Sequence, residues 1–136
     1  MKAHFLAICV FALYACEAQT DSTSPNFLYR QEISKALNAK EYTKCIAYLD
    51  SLISLEPAFD LLYNLRACCY IYKGSINDAY NDSIAISNWD QAIELNIKEA
   101  MYYYNRGYIQ LIQDNYEEAE RDYTMAYMLE PDDKRY

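Results

Sequence analysis

Side chains that do chemistry at neutral pH are few in this 136-residue chain. The single histidine, His4, stands near the start, which leaves no imidazole placed for general-base catalysis or metal binding. Five cysteines occur, at 9, 16, 45, 68 and 69. Cys68 and Cys69 point about 100° apart on a helix, so a bond between them is strained, and no histidine completes a zinc set with them. Cys45 reads as a small buried apolar residue, with a Cys45 to Cys69 bridge open to it in an oxidising compartment. The carboxylates Glu117, Glu118, Glu120 and Asp122 invite a calcium or acid–base reading. Helical geometry instead spreads them over a solvated face, and Glu117 and Glu118 fall in a first turn where the helix dipole favours negative charge. There is no nucleophile elbow, no phosphate loop and no carboxylate pair in an aromatic setting. The expectation is a protein that is not an enzyme and uses no metal or cofactor.

Binding chemistry is better supplied. Arg30, Arg66 and Arg106 could each grip a carboxylate in a bidentate fork. For Arg66 and Arg106 the competing role is an ion pair with an acidic residue of a neighbouring helix. Asn64 and Asn105 carry amides that offer donor and acceptor together to a main-chain group. The chain holds 16 Tyr; most are expected in packing, and the rest offer large contact area at low entropy cost. With 53% hydrophobic residues, only 2 Gly and 3 Pro, the elements behind these side chains should be helices joined by few loops. Lys plus Arg total 12 against 20 Asp plus Glu, a formal charge of -8, which repels phosphate backbones and excludes nucleic acid as a partner.

The N-terminus reads as an export signal over residues 1–15. Lys2 gives a positive start, and Phe5 to Ala15 is an apolar run of 11 residues, the length of a signal-peptide core and too short for a spanning helix. It ends in Leu13-Tyr14-Ala15-Cys16, which resembles the bacterial lipoprotein signal. That resemblance implies cleavage before Cys16, a diacylglyceryl group on its thiol and an acylated amino group, hence membrane attachment in a bacterial cell envelope. The alternatives are cleavage after Ala18 to give a soluble secreted protein, or a buried apolar N-terminal helix. Residues 16–25 are polar and read as a tether.

Beyond the tether the sequence repeats. In the last unit Tyr103, Gly107, Tyr116, Ala119, Tyr123, Ala126 and Pro131 fall in order, with Glu117-Glu118 opening its second helix. In the middle unit the counterparts are Tyr63, Ala67, Tyr70, Gly74, Ala85, Trp89 and Ala92, with Ile97 in the place of Pro. The first unit is worn: Tyr29, Ile33, Ala36, Tyr42, Cys45, Leu49, Leu52 and Pro57. The pattern resembles the tetratricopeptide repeat family, whose unit is a pair of helices, A and B. It implies an all-α, right-handed α-solenoid of about three helix pairs over residues 26–133, in units 26–59, 60–99 and 100–133. The middle unit holds six extra residues, because Pro57, Ile97 and Pro131 are 40 and 34 apart. We expect these to lengthen helix B by about 1.7 turns, with Ser75 and Asp78 forming a capping box. A helix stop at Asn81-Asp82, with Ser83 as a fresh cap, is the alternative.

The same resemblance implies a concave groove lined by helix A residues. These are Phe27, Arg30, Ser34, Leu37 and Asn38 in the first unit, and Leu61, Asn64, Cys68, Ile71 and Tyr72 in the second. The third supplies Met101, Tyr104, Tyr108, Leu111 and Ile112, with Asn105 one step off in register. Of the run Tyr102-Tyr103-Tyr104, Tyr103 is expected in the core, Tyr104 in the groove and Tyr102 partly exposed. Some family members clamp a terminal carboxylate of a chaperone; here Arg30 stands for one Lys, but Ser34 and Leu65 replace two Asn, so that clamp is expected to be absent. Only Asp132 to Tyr136 follow the last unit, and the reading is an uncapped end exposing Met125, Tyr127 and Met128 for a partner or a homodimer. The sequence therefore points to a non-enzymatic scaffold that binds a protein or peptide. A small-molecule-binding or enzymatic subunit using the Tyr-lined groove, and a structural subunit whose groove its own N-terminal segment fills, are the alternatives.

Overall fold

Apolar residues recurring at helical spacing close into six helices among the described residues, 25–75 and 78–132 of a computed structural model. They are α1 (Pro25–Asn38), α2 (Tyr42–Leu55), α3 (Asp60–Lys73), α4 (Ala79–Leu95), α5 (Ala100–Ile112) and α6 (Tyr116–Leu129). No strand occurs among the described residues. The segment read as an export signal, Cys16, and the segment read as a tether up to residue 24 lie outside them. Each helix packs against its neighbours in sequence, as a solenoid requires. None of the described helices is long and apolar enough to cross a membrane.

Small residues let the helices of a pair approach. Ala67 of α3 and Ala85 of α4 are wholly buried, as is Ala126 of α6. At Gly107 of α5 an added Cβ would stand 3.0 Å from Cβ of Asp122 and 3.3 Å from the Ala119 carbonyl oxygen. Trp89 then fills the seam behind Ala85 with 1% of its surface exposed. Ile33, Leu37, Leu49, Leu52, Leu62 and Leu65 complete the buried apolar layer. Tyr63 and Tyr103, at matching positions, each donate a hydroxyl hydrogen bond to the carbonyl six residues earlier, at Pro57 (2.9 Å) and Ile97 (3.2 Å). Ile97 thus does for the backbone what Pro57 does, although it is not proline.

The turns inside the first and third pairs are alike. Lys40 (φ 58°) and Asp114 (φ 62°) are left-handed. Around them Glu41 N–H donates to Ala36 C=O at 2.8 Å, and Asn115 N–H to Gln110 C=O at 2.9 Å. These are the long bonds of a Schellman ending. The middle pair leaves differently: Gly74 is extended (φ −75°, ψ 166°). This is where the six extra residues enter. The chain runs unbroken through Asn81 and Asp82, so helix B is lengthened, and Ser83 donates to the Tyr80 carbonyl (2.9 Å) within α4 rather than starting a new helix. The extension is smaller than the 1.7 turns expected: α4 has 17 residues against 14 in α2 and α6. The reason is the cap. Asp78, and not Ser75, is the N-cap, accepting from the backbone N–H of Asn81 at 3.2 Å and from its side-chain amide at 2.6 Å. Gly74 and Ser75 therefore lie between α3 and α4.

One expectation about tyrosine is corrected. Tyr102 is 2% exposed, not partly exposed, because its hydroxyl donates to Asp60 at the start of α3 (2.9 Å). Core packing does account for much of the tyrosine, as expected: Tyr102 and Tyr103 are buried, and Tyr29, Tyr48, Tyr70, Tyr72, Tyr104 and Tyr108 are partly buried against the core.

The notch at Gly107 sets a measurable cost. In an open helix Gly→Ala gains roughly 0.5–1 kcal/mol. Here overpacking of about 1–3 kcal/mol opposes that gain. Gly107→Ala should lower the urea midpoint, and a raised midpoint would contradict the packing described.

Candidate functional site

The groove positions whose side chains are described fall on α1, α3 and α5. Tyr72 lies near the end of α3, with Tyr104 and Tyr108 one turn apart on α5, and all three are half-buried. Their rings are braced from behind. Tyr72 stacks on Tyr42 of α2 (centroids 5.5 Å, interplanar angle 22°), and Tyr104 leans on Tyr123 of α6 (5.6 Å, 54°). Burial, followed by the nearby phenols of Tyr104 and Tyr108, pushes the Tyr123 hydroxyl up to about 12. Its neutral form therefore supports the fold up to pH 10, and that contribution is lost as pH rises towards 12. Tyr72 and Tyr108, together with Leu61, Ile71 and Ile112, rest on the main core. Rings held this way have little rotamer freedom left to lose on binding.

Asn64 and Asn105 do not serve as the groove handles expected of them. They are 0% and 3% exposed. Asn64 Oδ1 accepts from Trp89 Nε1 at 2.8 Å and from Asn105 Nδ2 at 3.1 Å. The amides thus tie α3, α4 and α5 at one buried point, where an unpaired amide would be costly.

Arg66 and Arg106 take the competing role set out for them, pairing with acidic residues of neighbouring helices. Arg66 donates from Nη1 to Asp50 (2.7 Å) and from Nε to Asn88 (2.7 Å). Arg106 donates from Nη1 to Asp90 (2.6 Å) and grips both oxygens of Asp122 from Nε and Nη2 (2.8 and 2.6 Å). All four partners sit on α2, α4 or α6, so each guanidinium joins the helix before it to the helix after it. Hydrogen bonding to Asp122 also raises the pKa of Arg106 beyond its ordinary value. Asp122 is consequently 4% exposed and is not part of the solvated acidic face, whereas Glu117, Glu118 and Glu120 are exposed as expected. The partners were not singled out from the sequence, although one signal was present. Asp50 precedes Arg66 and Asp90 precedes Arg106 by the same 16 residues. On the other side the separations are 22 and 16, and the difference is the insertion in the middle unit.

Arg30 on α1 differs from these two. It is 2% exposed, donates from Nη2 to Glu56 (2.6 Å) and lies over the Phe59 ring at 5.0 Å. Its Nε and Nη1 are buried and have no hydrogen-bond partner among the described residues. At the far end of the stack Met125, Tyr127 and Met128 are exposed. Beside them a cavity of about 430 Å³ is lined by residues including Leu111, Tyr116, Tyr123 and Tyr127.

Comparison with known proteins follows this geometry. Residues 100–133 match the tetratricopeptide repeat family. The chain is 26% identical over 107 residues to the DnaJ homolog subfamily C member 7 homolog of Dictyostelium discoideum, covering 76% of this chain and 19% of that protein. It is 28% identical over 107 residues to the heat shock protein STI1 of Saccharomyces cerevisiae, covering 78% and 17%. It therefore spans less than a fifth of the length of these relatives. Among solved structures, the first TPR of Spaghetti (RPAP3) bound to the HSP90 peptide SRMEEVD superposes with a TM-score of 0.71 at 22% identity, covering 85% and 86% of the two chains. The MamA RS-1 ArsTM double mutant superposes at 0.69 with 19% identity, covering 79% and 57%. The fold is a tetratricopeptide-like helical solenoid.

Losing the two arginines should not cost the same. Arg106→Ala strands Asp122 as a buried, uncompensated carboxylate, a loss of about 3–5 kcal/mol. Arg66→Ala leaves a neutral Asn88 that still donates to the Ile84 carbonyl (2.8 Å), a loss of about 1 kcal/mol. Urea denaturation of the two variants measures the difference, and equal losses would contradict the assignment.

Proposed function

We propose that this tetratricopeptide-like solenoid is a non-enzymatic protein-interaction scaffold that takes a protein segment along α1, α3 and α5. The observation that carries the reading is the aromatic surface along α3 and α5, where Tyr72 is stacked on Tyr42 and Tyr104 leans on Tyr123. Tyr72, Tyr104 and Tyr108 are half-buried, so each keeps part of its surface for a ligand at little further loss of rotamer freedom. The related Spaghetti domain was solved with an HSP90 peptide, which supports a peptide as the ligand class. A terminal-carboxylate clamp is not proposed, since Leu65, at the place of one of its Asn residues, is wholly buried.

The reading extends to where the scaffold sits. Residues 1–15 direct export, and Cys16 carries lipid that holds the protein at a bacterial envelope membrane; soluble secretion is the competing outcome. The exposed Met125, Tyr127 and Met128, with the neighbouring cavity, offer a second contact surface for a partner or a second copy of the chain.

Peptides selected by display against the folded protein test the groove. Tyr104→Ala and Tyr108→Ala should each weaken binding about tenfold, measured at a temperature where circular dichroism shows each variant still folded. Unchanged affinity would overturn the groove as the site. For the anchor, Cys16→Ala should abolish incorporation of labelled fatty acid in a bacterial host and move the protein to the soluble fraction. Continued membrane retention would overturn lipidation.

A further inference from the structure

Cys45 of α2 and Cys69 of α3 are both wholly buried, and their Sγ atoms lie 3.2 Å apart. That is closer than the roughly 3.5–4.0 Å of ordinary carbon packing. The thiols face each other across the boundary between the first helix pair and the second. One turn along each helix, Tyr42 and Tyr72 stack over the same boundary. At the position of Cys45 the other two units have Ala85 and Ala119, so packing alone does not need sulfur there.

We propose that Cys45 and Cys69 form a disulfide that staples α2 to α3 when the chain folds in the presence of an oxidant. To reach the bonded distance of about 2.05 Å the sulfurs close by about 1 Å. The oxidant is another disulfide, either a small-molecule one such as oxidised glutathione or one held by a protein. One cysteine thiolate attacks it, breaking its S–S bond, expelling one thiol and leaving a mixed disulfide. The second cysteine then attacks the sulfur of the first, expelling the other thiol. The two cysteines give up two electrons and two protons, and the oxidant leaves as two thiols. Because both sulfurs are sealed in the folded protein, exchange belongs to folding, before α2 settles on α3.

The position gives the bond a purpose. It closes a loop spanning 24 residues that contains Glu56 and Phe59, the two contacts of the Arg30 guanidinium. It also ties down the first helix pair, whose repeat pattern is the most worn. Cys68 sits next along α3, turned about 100° away, and is not the partner.

The full chain, refolded with oxidised glutathione, alkylated and mapped by mass spectrometry, tests this. The expected result is a linked pair of peptides carrying Cys45 and Cys69. The melting temperature should stand about 10 °C above that of the same protein in reductant. Cys68→Ser should keep both the linkage and the shift, and Cys45→Ala, which restores the residue of the other units, should lose both. Alkylation of both Cys45 and Cys69 in the oxidised sample, or a bond mapped to Cys68, would overturn the proposal. The wild-type map decides the matter even if a variant does not fold.

Discussion

Two helices of a pair can touch only where one of them offers no side chain to hold the other away. Gly107 against Ala119, and Ala67 against Ala85, are those places. Close approach there brings Trp89 and Tyr123 over the seam, and this in turn fixes the angle at which the next pair lands. One pair cannot bury its own apolar face, so the stack and the notches stand or fall together. The six extra residues of the middle unit are tolerated because they enter ahead of the seam. Asp78 restarts the helix, and Ala85 and Trp89 still arrive in register.

Apolar contact is non-directional and does not by itself choose one register over a slip of a turn. Polar contacts between the pairs supply that choice. Asn64, Trp89 and Asn105 meet at one buried point, and Arg66 and Arg106 each reach a helix on both sides. Buried polar groups of this kind are expensive when mismatched, so a slipped stack would strand several at once. The side chains best suited to holding a ligand are in large part those that hold the stack together.

Surface for a partner is what that arrangement leaves over. Tyr72, Tyr104 and Tyr108 are half-buried and braced. On α6 the apolar side chains of Met125, Tyr127 and Met128 are exposed. A solenoid with a hydrogen-bonded interior and exposed aromatic and apolar side chains is suited to contact with other proteins.

How far this was legible in the residues follows from the range of each interaction. The helices, their pairing, the notches, the size of the insertion and the exposed Met128 end depend on periodicity within some 34 residues, and periodicity is written in the chain itself. The destinations of polar side chains are not. Asn64 and Asn105 stand at the edge of a helix face, where a neighbour can take an amide inward or leave it to water, and the neighbour was 41 residues away. Asp122 sat in a run that looked solvated until Arg106 reached it from the facing helix, and Tyr102 was drawn in by Asp60 from 42 residues off. Even Ser75, a fair cap by spacing, yielded to Asp78 because the cap that wins is the one the packed helix can reach. Local spacing chose the elements, and only their packing decided which donors and acceptors would meet, because a hydrogen bond is settled by atoms within about 3 Å and not by their distance along the chain.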